Sequence, residues 1–406
     1  MRFRSQQKLH VWCQFFYPEL ISTGQVTTEL FERLSNDFDI EVWCAQPTIK
    51  KAHRVPIVIH HKEIKVVRLW SSRFPKLSIL GKVSNQVSYS LSLFWQALLL
   101  PHGSRINVFT DPFFLPLLLL ILYPLKRFSY TVTLFDLYPE TLSKNKIISS
   151  SGLTYRLLNR LTNIVYNNSK NVITIGRCMQ KIVSERPIDW RLKLNYIPIW
   201  CDSNNVKRKT LPENHFRCIW EVPEDTFLVG YSGNLAKFHP IETFLAAAKI
   251  LEDKKDIKFI FAGEGAKKNW AQAFCEKNNL SNCLFQSYVD RNELGSLLNE
   301  FDCGLVGLNK AQTGLSVPSK TVALMTVGLP IIACVDDASE TALMIQENKC
   351  GYICPPADSA KLADLILKLK EDPNQCILFG ENATLASNKS FQITDIAKMY
   401  ADYLKS

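Results

Sequence analysis

Short apolar runs alternate with longer stretches of helical period along the whole chain, the pattern of parallel α/β domains. In the first half, Leu9–Phe16, Ile40–Gln46, Lys65–Trp70, Ile106–Thr110, Tyr130–Phe135 and Asn171–Ile175 read as strands. Helices are predicted between them at Val26–Leu34, Val83–Leu100 and Thr154–Asn168. The second half repeats the scheme, with strands at Phe227–Tyr231, Lys258–Ala262, Cys283–Gln286, Gly304–Val306 and Leu329–Cys334. Its predicted helices are Ile241–Glu252, Asn292–Glu300 and Ala360–Lys370. Between the halves the polar run Ser203–His215 carries no sustained period. A chain of 406 residues exceeds one ordinary core. The expectation is two doubly wound domains facing each other, 1–203 and 204–389.

One segment departs from the pattern. Phe113–Leu125 is almost wholly apolar, yet too short to span a bilayer and interrupted by Pro116 and Pro124. It reads either as a buried helix or as a membrane-dipping segment whose neighbours Lys126 and Arg127 meet anionic head groups. Charge favours the second reading. Residues 1–200 hold 26 basic against 12 acidic side chains, while 201–406 hold 22 against 26. A first half of that sign faces something anionic, a membrane surface or nucleic acid. Its aromatics sit within apolar runs and are not interleaved with Lys and Arg as stacking platforms require, so nucleic acid is not expected. The 12 cysteines are scattered without Cys-x-x-Cys spacing. With the basic, polar start Met1–Lys8, they predict a cytoplasmic protein.

In doubly wound folds ligands sit beyond the carboxyl ends of the strands, so the segments following each strand matter most. After the first strand, Ser22 and Gln25 are spaced as a capping box, and Gly24 permits close approach of a ligand. After Phe227–Tyr231 come the tight turn Gly233-Asn234 and the cation Lys237. Gly263 and Gly265 follow the next strand, with Lys267 and Lys268 beside them. The segment Gly314–Pro330 reads as a helix capped by Ser316, with Pro318 in its first turn and Gly328 ending it. Ser316, Ser319 and Lys320 load that helix mouth with donors and a cation, which fits a phosphate or diphosphate. In the first half, Asp136 ends a strand with Tyr138 and Glu140 just beyond, placed to accept a proton or hold a hydroxyl. Asp111 ends the neighbouring strand, and Arg177 follows another within reach of a phosphate. His102 and His239 are isolated and read as surface or linker residues. No histidine–carboxylate cluster has metal-ligand spacing, so neither a metal nor a cofactor is expected.

With these loops in place the chain resembles family-4 glycosyltransferases of the GT-B fold, in the branch that builds bacterial surface polysaccharides such as O-antigen and colanic acid. FYPELISTGQVTTEL, FTDPFFL, DLYPE, VITIGRCMQ, YIPIWCD, GYSGNLAKFHPIETFLAA, FIFAGEGAKK, SVPSK and GYICPPAD match in order and spacing. The resemblance implies an α/β chain of two Rossmann-like domains, the last helix (Ile393–Leu404, within 390–406) crossing back onto the first. It implies retaining, metal-independent transfer from a UDP- or GDP-sugar to a lipid-linked saccharide at the inner membrane leaflet. By position, Lys237 and the segment Ser316–Lys320 with Pro318 and Ser319 would meet the diphosphate and sugar. Gly24, Asn234, Gly263 and Gly265 would approach the donor, Tyr288-Val289 would hold the base, and Asp136 would lie near the acceptor hydroxyl. Two glutamates usual in the family are replaced by Leu315 and Ala323, and Glu340 is placed to act on the ribose instead. A two-domain sugar-nucleotide epimerase is the rival enzyme, and it would want acids and a histidine around the reacting carbon. An inactive membrane- or nucleic-acid-binding relative is the other alternative.

Overall fold

The computed structural model describes residues 7–19, 21–47, 56–74, 79–191, 193–206, 215–290 and 293–405. The chain divides into two compact units, 1–198 with 393–406, and 199–392. Most of the run Ser203–His215, and the start of the helix expected at Asn292, lie outside the described residues.

The first unit holds an eight-stranded sheet: β1 (Gln7–Trp12), β2 (Phe38–Cys44), β3 (Val58–His61), β4 (Ile64–Arg68), β5 (Arg105–Phe109), β6 (Ser129–Leu134), β7 (Asn171–Thr174) and β8 (Leu194–Tyr196). Their order is β3-β4-β2-β1-β5-β6-β7-β8. All pairings are parallel except β3 with β4. Central strands such as β5 and β6 are buried on both faces after their first residue, because helices cover both sides of the sheet. One covering helix, Ile79–Ala97, reaches through the core, where the Tyr89 phenol donates to the carbonyls of Cys13 and Trp43, each at 2.7 Å. The final helix, Ile393–Lys405, packs on Ser22–Leu34 and so belongs to this unit.

The apolar segment after β5 forms the helix Phe114–Lys126. Leu115, Leu119 and Leu122 are buried in the unit, while Ile121 and Leu125 are exposed. Among the described residues no helix is long and apolar enough to cross a membrane.

The second unit is built on β9 (Phe227–Ser232), β10 (Ile257–Ala262), β11 (Cys283–Gln286), β12 (Cys303–Gly307), β13 (Ile331–Cys334) and β14 (Gly351–Cys354). The order is β11-β10-β9-β12-β13-β14, parallel throughout. Its core joins Val229, Tyr231, Phe259, Leu305 and Ile332 to the helices Ile241–Ile250 and Ser359–Glu371. The chain leaves β9 toward β10 and β11 and returns through β12 on the other side. That reversal is a topological switch point, where doubly wound sheets bind ligands.

Candidate active site

The loops leaving β9 and β12 are tied across the switch point. His239 Nδ1 lies 2.6 Å from the carbonyl of Gly307, and the Asn309 N–H donates to Phe238 O at 2.9 Å. His239 is therefore not a surface residue: it is buried, and its ring holds two loops together. A carbonyl only accepts, so Nδ1 carries the proton and Nε2 has none. Burial, and after it the nearby Lys320, holds the imidazole down at about 3, so it stays neutral.

Lys320 supplies the site's cation. Its Nζ sits 3.6 Å from the centroid of the Tyr231 ring, and a Cβ on Gly233 would come within 3.1 Å of it. The residue as a whole is partly exposed, but the ammonium is out of contact with solvent and makes no hydrogen bond among the described residues. Burial pushes its pKa well below the ordinary lysine value. A desolvated cation–π contact contributes about 2 kcal/mol, against several kcal/mol for removing an ammonium from water. An anion in the site would close that deficit.

The helix that carries Lys320 differs from the sequence expectation. It runs Lys320–Thr326, begins at Lys320 itself, and Ser319 caps it without a side-chain hydrogen bond. Ser316 is not the cap, because Pro318 disfavours the helical conformation at Val317 and separates the serine from the first turn. Gly328, at φ 74°, ends the helix region as expected. Ser316, Pro318 and Ser319 remain partly exposed ahead of Lys320. Leu315 is in the core, where a carboxylate would be desolvated and unpaired.

The glycine loops after β9 and β10 pack on each other. Gly233 N–H donates to Ala262 O at 2.8 Å, Leu235 N–H to Glu264 O at 2.9 Å, and Lys267 N–H to Leu235 O at 3.0 Å. A Cβ on Gly263 would lie 2.0 Å from Gly233 O, and one on Gly265 would lie 2.5 Å from Asn234 Oδ1. With φ of 144° and 156°, both positions exclude side chains for a reason internal to the protein. Lys267 and Lys268, expected near a nucleotide, are instead ion-paired with Glu242 and Glu264, each at 2.7 Å. Lys237 and Asn234 are exposed on the loop. Tyr288 and Val289 are partly buried after β11, and the Tyr288 hydroxyl lies at the Glu264 backbone. Glu340 is buried at the first position of the helix Glu340–Asn348, following β13; the preceding Ser339 caps that helix by accepting from Ala342 N–H at 3.1 Å.

The first unit has its own switch point between β1 and β5, bridged by Gln14 N–H donating to Asp111 O at 3.2 Å. Gly24 lies in the first turn of Ser22–Leu34, whose cap is Ile21, so Ser22 is the first helical residue and not the cap the capping box requires. A Cβ on Gly24 would press on Glu19 and Phe15 at 3.1 and 3.3 Å. Asp136 follows β6, and Thr110 Oγ1 accepts its N–H at 3.3 Å. Burial raises the Asp136 carboxyl to about 6. The Tyr138 phenol is raised by burial, with Asp136 and Asp111 adding to it. Glu140 is not free: it pairs with Arg186 at 2.7 Å, and Arg186 also binds the amides of Asn159 and Asn163. Arg186 lies outside any strand end, and only the structure reveals it as the partner of Glu140.

Residues 213–386 match the family described as glycosyl transferases group 1. That match lies wholly within the second unit. Two curated relatives share the likeness. The probable glycosyltransferase WbjE of Pseudomonas aeruginosa is 29% identical over 63% of this chain and 64% of its own length. The putative colanic acid biosynthesis glycosyl transferase WcaI of Escherichia coli (strain K12) is 25% identical over 48% of each. The chain thus spans less than two thirds of either relative. The Anabaena protein Alr3699/HepE, solved in complex with UDP-glucose, superposes with a TM-score of 0.72 at 15% identity, over 98% of this chain and 100% of that one. The fold is GT-B. The segment similar to group 1 glycosyl transferases therefore contains the β9–β12 switch point, Lys320 and both glycine loops.

Proposed function

We propose that this chain is a retaining, metal-independent glycosyltransferase of the family-4 type. It moves a sugar from a UDP- or GDP-sugar to a lipid-linked saccharide in bacterial surface-polysaccharide synthesis, at the cytoplasmic face of the inner membrane. The observation that carries the reading is the enclosed ammonium of Lys320, without a hydrogen-bond partner among the described residues, at the switch point of the second unit. Breaking an anomeric bond places negative charge on the departing diphosphate. A fixed cation in a desolvated site stabilises that charge without reorganising. Lys237 adds a second, mobile cation, and Ser316, Pro318 and Ser319 line the approach to Lys320. Asn234, Gly263 and Gly265 form the loop floor, Tyr288 and Val289 hold the base, and Glu340 takes the ribose.

In the first unit Asp136 serves the acceptor. A carboxyl near 6 is mostly ionised at neutral pH yet basic enough to take a proton from a sugar hydroxyl. Among the described residues no three His, Cys, Asp or Glu side chains cluster as metal ligands.

Thermal unfolding of the chain with UDP, GDP, ADP and their sugar conjugates tests the donor. A ligand at a hundred times its dissociation constant stabilises by about 2.7 kcal/mol. One nucleotide family should shift the wild type, and Lys320→Met should lose about half of that shift or more. No shift with any nucleotide would sink the reading.

A further inference from the structure

Three helices lie side by side in the first unit: Ile79–Ala97, Phe114–Lys126 and Leu153–Asn168, the middle one packed against both others. The first is apolar on two opposite sides. Tyr89, Leu93 and Ala97 are fully buried. Leu80, Val83, Val87, Leu91 and Trp95 recur every three or four residues and, at the helical repeat, fall on the other side. These side chains are exposed, Leu80 by 80% and Trp95 by 68%, and Leu99 just beyond the helix by 77%. The middle helix adds Ile121 and Leu125, and the third adds Leu153 and Leu157, each more than half exposed. Single exposed apolar residues are ordinary, but a stripe running the length of a helix and continued by its neighbours marks an interaction surface.

Charge identifies the partner. The three helices, of 19, 13 and 16 residues, contain no aspartate or glutamate. Arg127, Arg156 and Arg160 are exposed among them. Arg156 and Arg160, with Tyr155, Asn159 and Asn163, line an open cleft of about 510 Å³ along the third helix. A second copy presenting the same face would bring cations to cations with no acid to pair them.

We propose that this face seats the protein on an anionic lipid bilayer. The stripe Leu80–Leu99 enters the boundary between head groups and acyl chains, and Arg156 and Arg160 meet lipid phosphates. The segment after β5 contributes only Ile121 and Leu125, and the helix before β5 contributes most. The proposal rests on the lipid-linked acceptor reading for its purpose, but not on the donor chemistry, so the two fail separately.

The test is co-sedimentation of the full chain with phosphatidylcholine vesicles, with and without phosphatidylglycerol. Wild type should pellet with the anionic vesicles, and less as salt rises. Leu91→Glu with Trp95→Glu should weaken partitioning by about tenfold or more. Arg156→Gln with Arg160→Gln should weaken it by about fivefold per charge, on anionic vesicles only. Both variants should keep the wild-type melting temperature and nucleotide-induced shift. Wild type staying in the supernatant with anionic vesicles, or the Leu91/Trp95 variant pelleting undiminished, would overturn the proposal. So would a wild-type dimer that this variant dissolves, which would make the face an interface between copies. Vesicle binding without any nucleotide shift would leave the docking face standing and remove the donor reading instead.

Discussion

The two units solve the same topological problem and finish it with opposite charge. Each sheet reverses direction at its centre, between β1 and β5 and between β9 and β12. Each ties its two central loops by hydrogen bonds, at Gln14 in the first and at His239 and Asn309 in the second. Beyond the second reversal stands a buried ammonium, Lys320, with an aromatic ring as its neighbour and no hydrogen-bond partner among the described residues. Beyond the first stand carboxylates, Asp111 and Asp136, and burial makes negative charge costly at Asp136. Burial acts on both groups by pushing toward the neutral form, so the acid rises and the amine falls. The lesson is that the fold supplies a crevice, while a single residue after a strand decides whether it receives an anion or a proton.

Removing the acid should give the largest effect. Asp136→Asn is expected to lower transfer by about 10²–10⁴-fold while leaving the nucleotide-induced shift of melting temperature intact. The same change should stabilise the protein. The unfolded carboxyl titrates near 4 and the folded one at about 6, so the stability contribution is fully present below pH 4 and is lost as pH rises toward 6. Wild type should therefore fall behind Asp136→Asn between those values, by up to about 3 kcal/mol, less because the residue keeps some solvent contact. Equal pH profiles for the two proteins would mean that Asp136 is solvated, and the contrast between the units would lose its acidic half.

Two variants probe the anionic side. Gly263→Ala places a methyl group against the Gly233 carbonyl at a backbone angle alanine rarely adopts, and should cost roughly 2–4 kcal/mol of stability. Tolerance of that change would show that the loops part easily. Lys320→Met should weaken binding of the diphosphate about 10–100-fold, the worth of a charge-assisted hydrogen bond. It should also raise the melting temperature of the ligand-free protein, since it removes an enclosed charge with no hydrogen-bond partner among the described residues. Calorimetry with UDP and a thermal scan read the two effects independently. A loss of stability in place of the gain would mean that Lys320 is held by something other than the Tyr231 ring.

Much of this was legible in the sequence because strand ends are legible. Buried parallel strands announce themselves as apolar runs, and the residues just after them, Asp136, Gly233 and Gly263, are found by counting forward. Lys320 is found from the helix mouth that carries it. Three of the four edge strands among the described residues were not legible: β3 reads VIHH, β8 reads LNY and β14 reads GYIC, too short or too polar for a period to emerge. The fourth, β11, is legible at Cys283–Gln286. Caps failed where proline intervened, as at Ser316. Pairings failed because they join distant segments. Nothing local marks Lys267 for Glu242, Arg186 for Glu140 or His239 for the Gly307 carbonyl. The glycines were located correctly, but their reason lies in the contact of two loops that sequence spacing does not bring together. The apolar segment after β5 drew attention by composition, whereas the longer exposed stripe on Ile79–Ala97 is diluted by serines and becomes visible only when burial divides its faces.

The smallest expected effect separates the two lysines of the second unit. Lys237 is exposed on the loop after β9, where Lys320 is enclosed. An exposed cation meets its anion in high dielectric and is screened by salt, so it contributes about 0.2–1 kcal/mol. Lys237→Ala should thus weaken nucleotide binding only about two- to fivefold at low salt, with no change in melting temperature. The deficit should vanish in concentrated salt, and Lys237→Arg should restore binding. Lys320→Met should keep its deficit under the same conditions, because its charge is shielded from the electrolyte by protein. Titrating both variants across ionic strength therefore tests burial itself. If Lys237→Ala loses as much as Lys320→Met and keeps losing it in salt, the loop after β9 folds over the diphosphate and encloses its own lysine. The site would then use two desolvated cations rather than one.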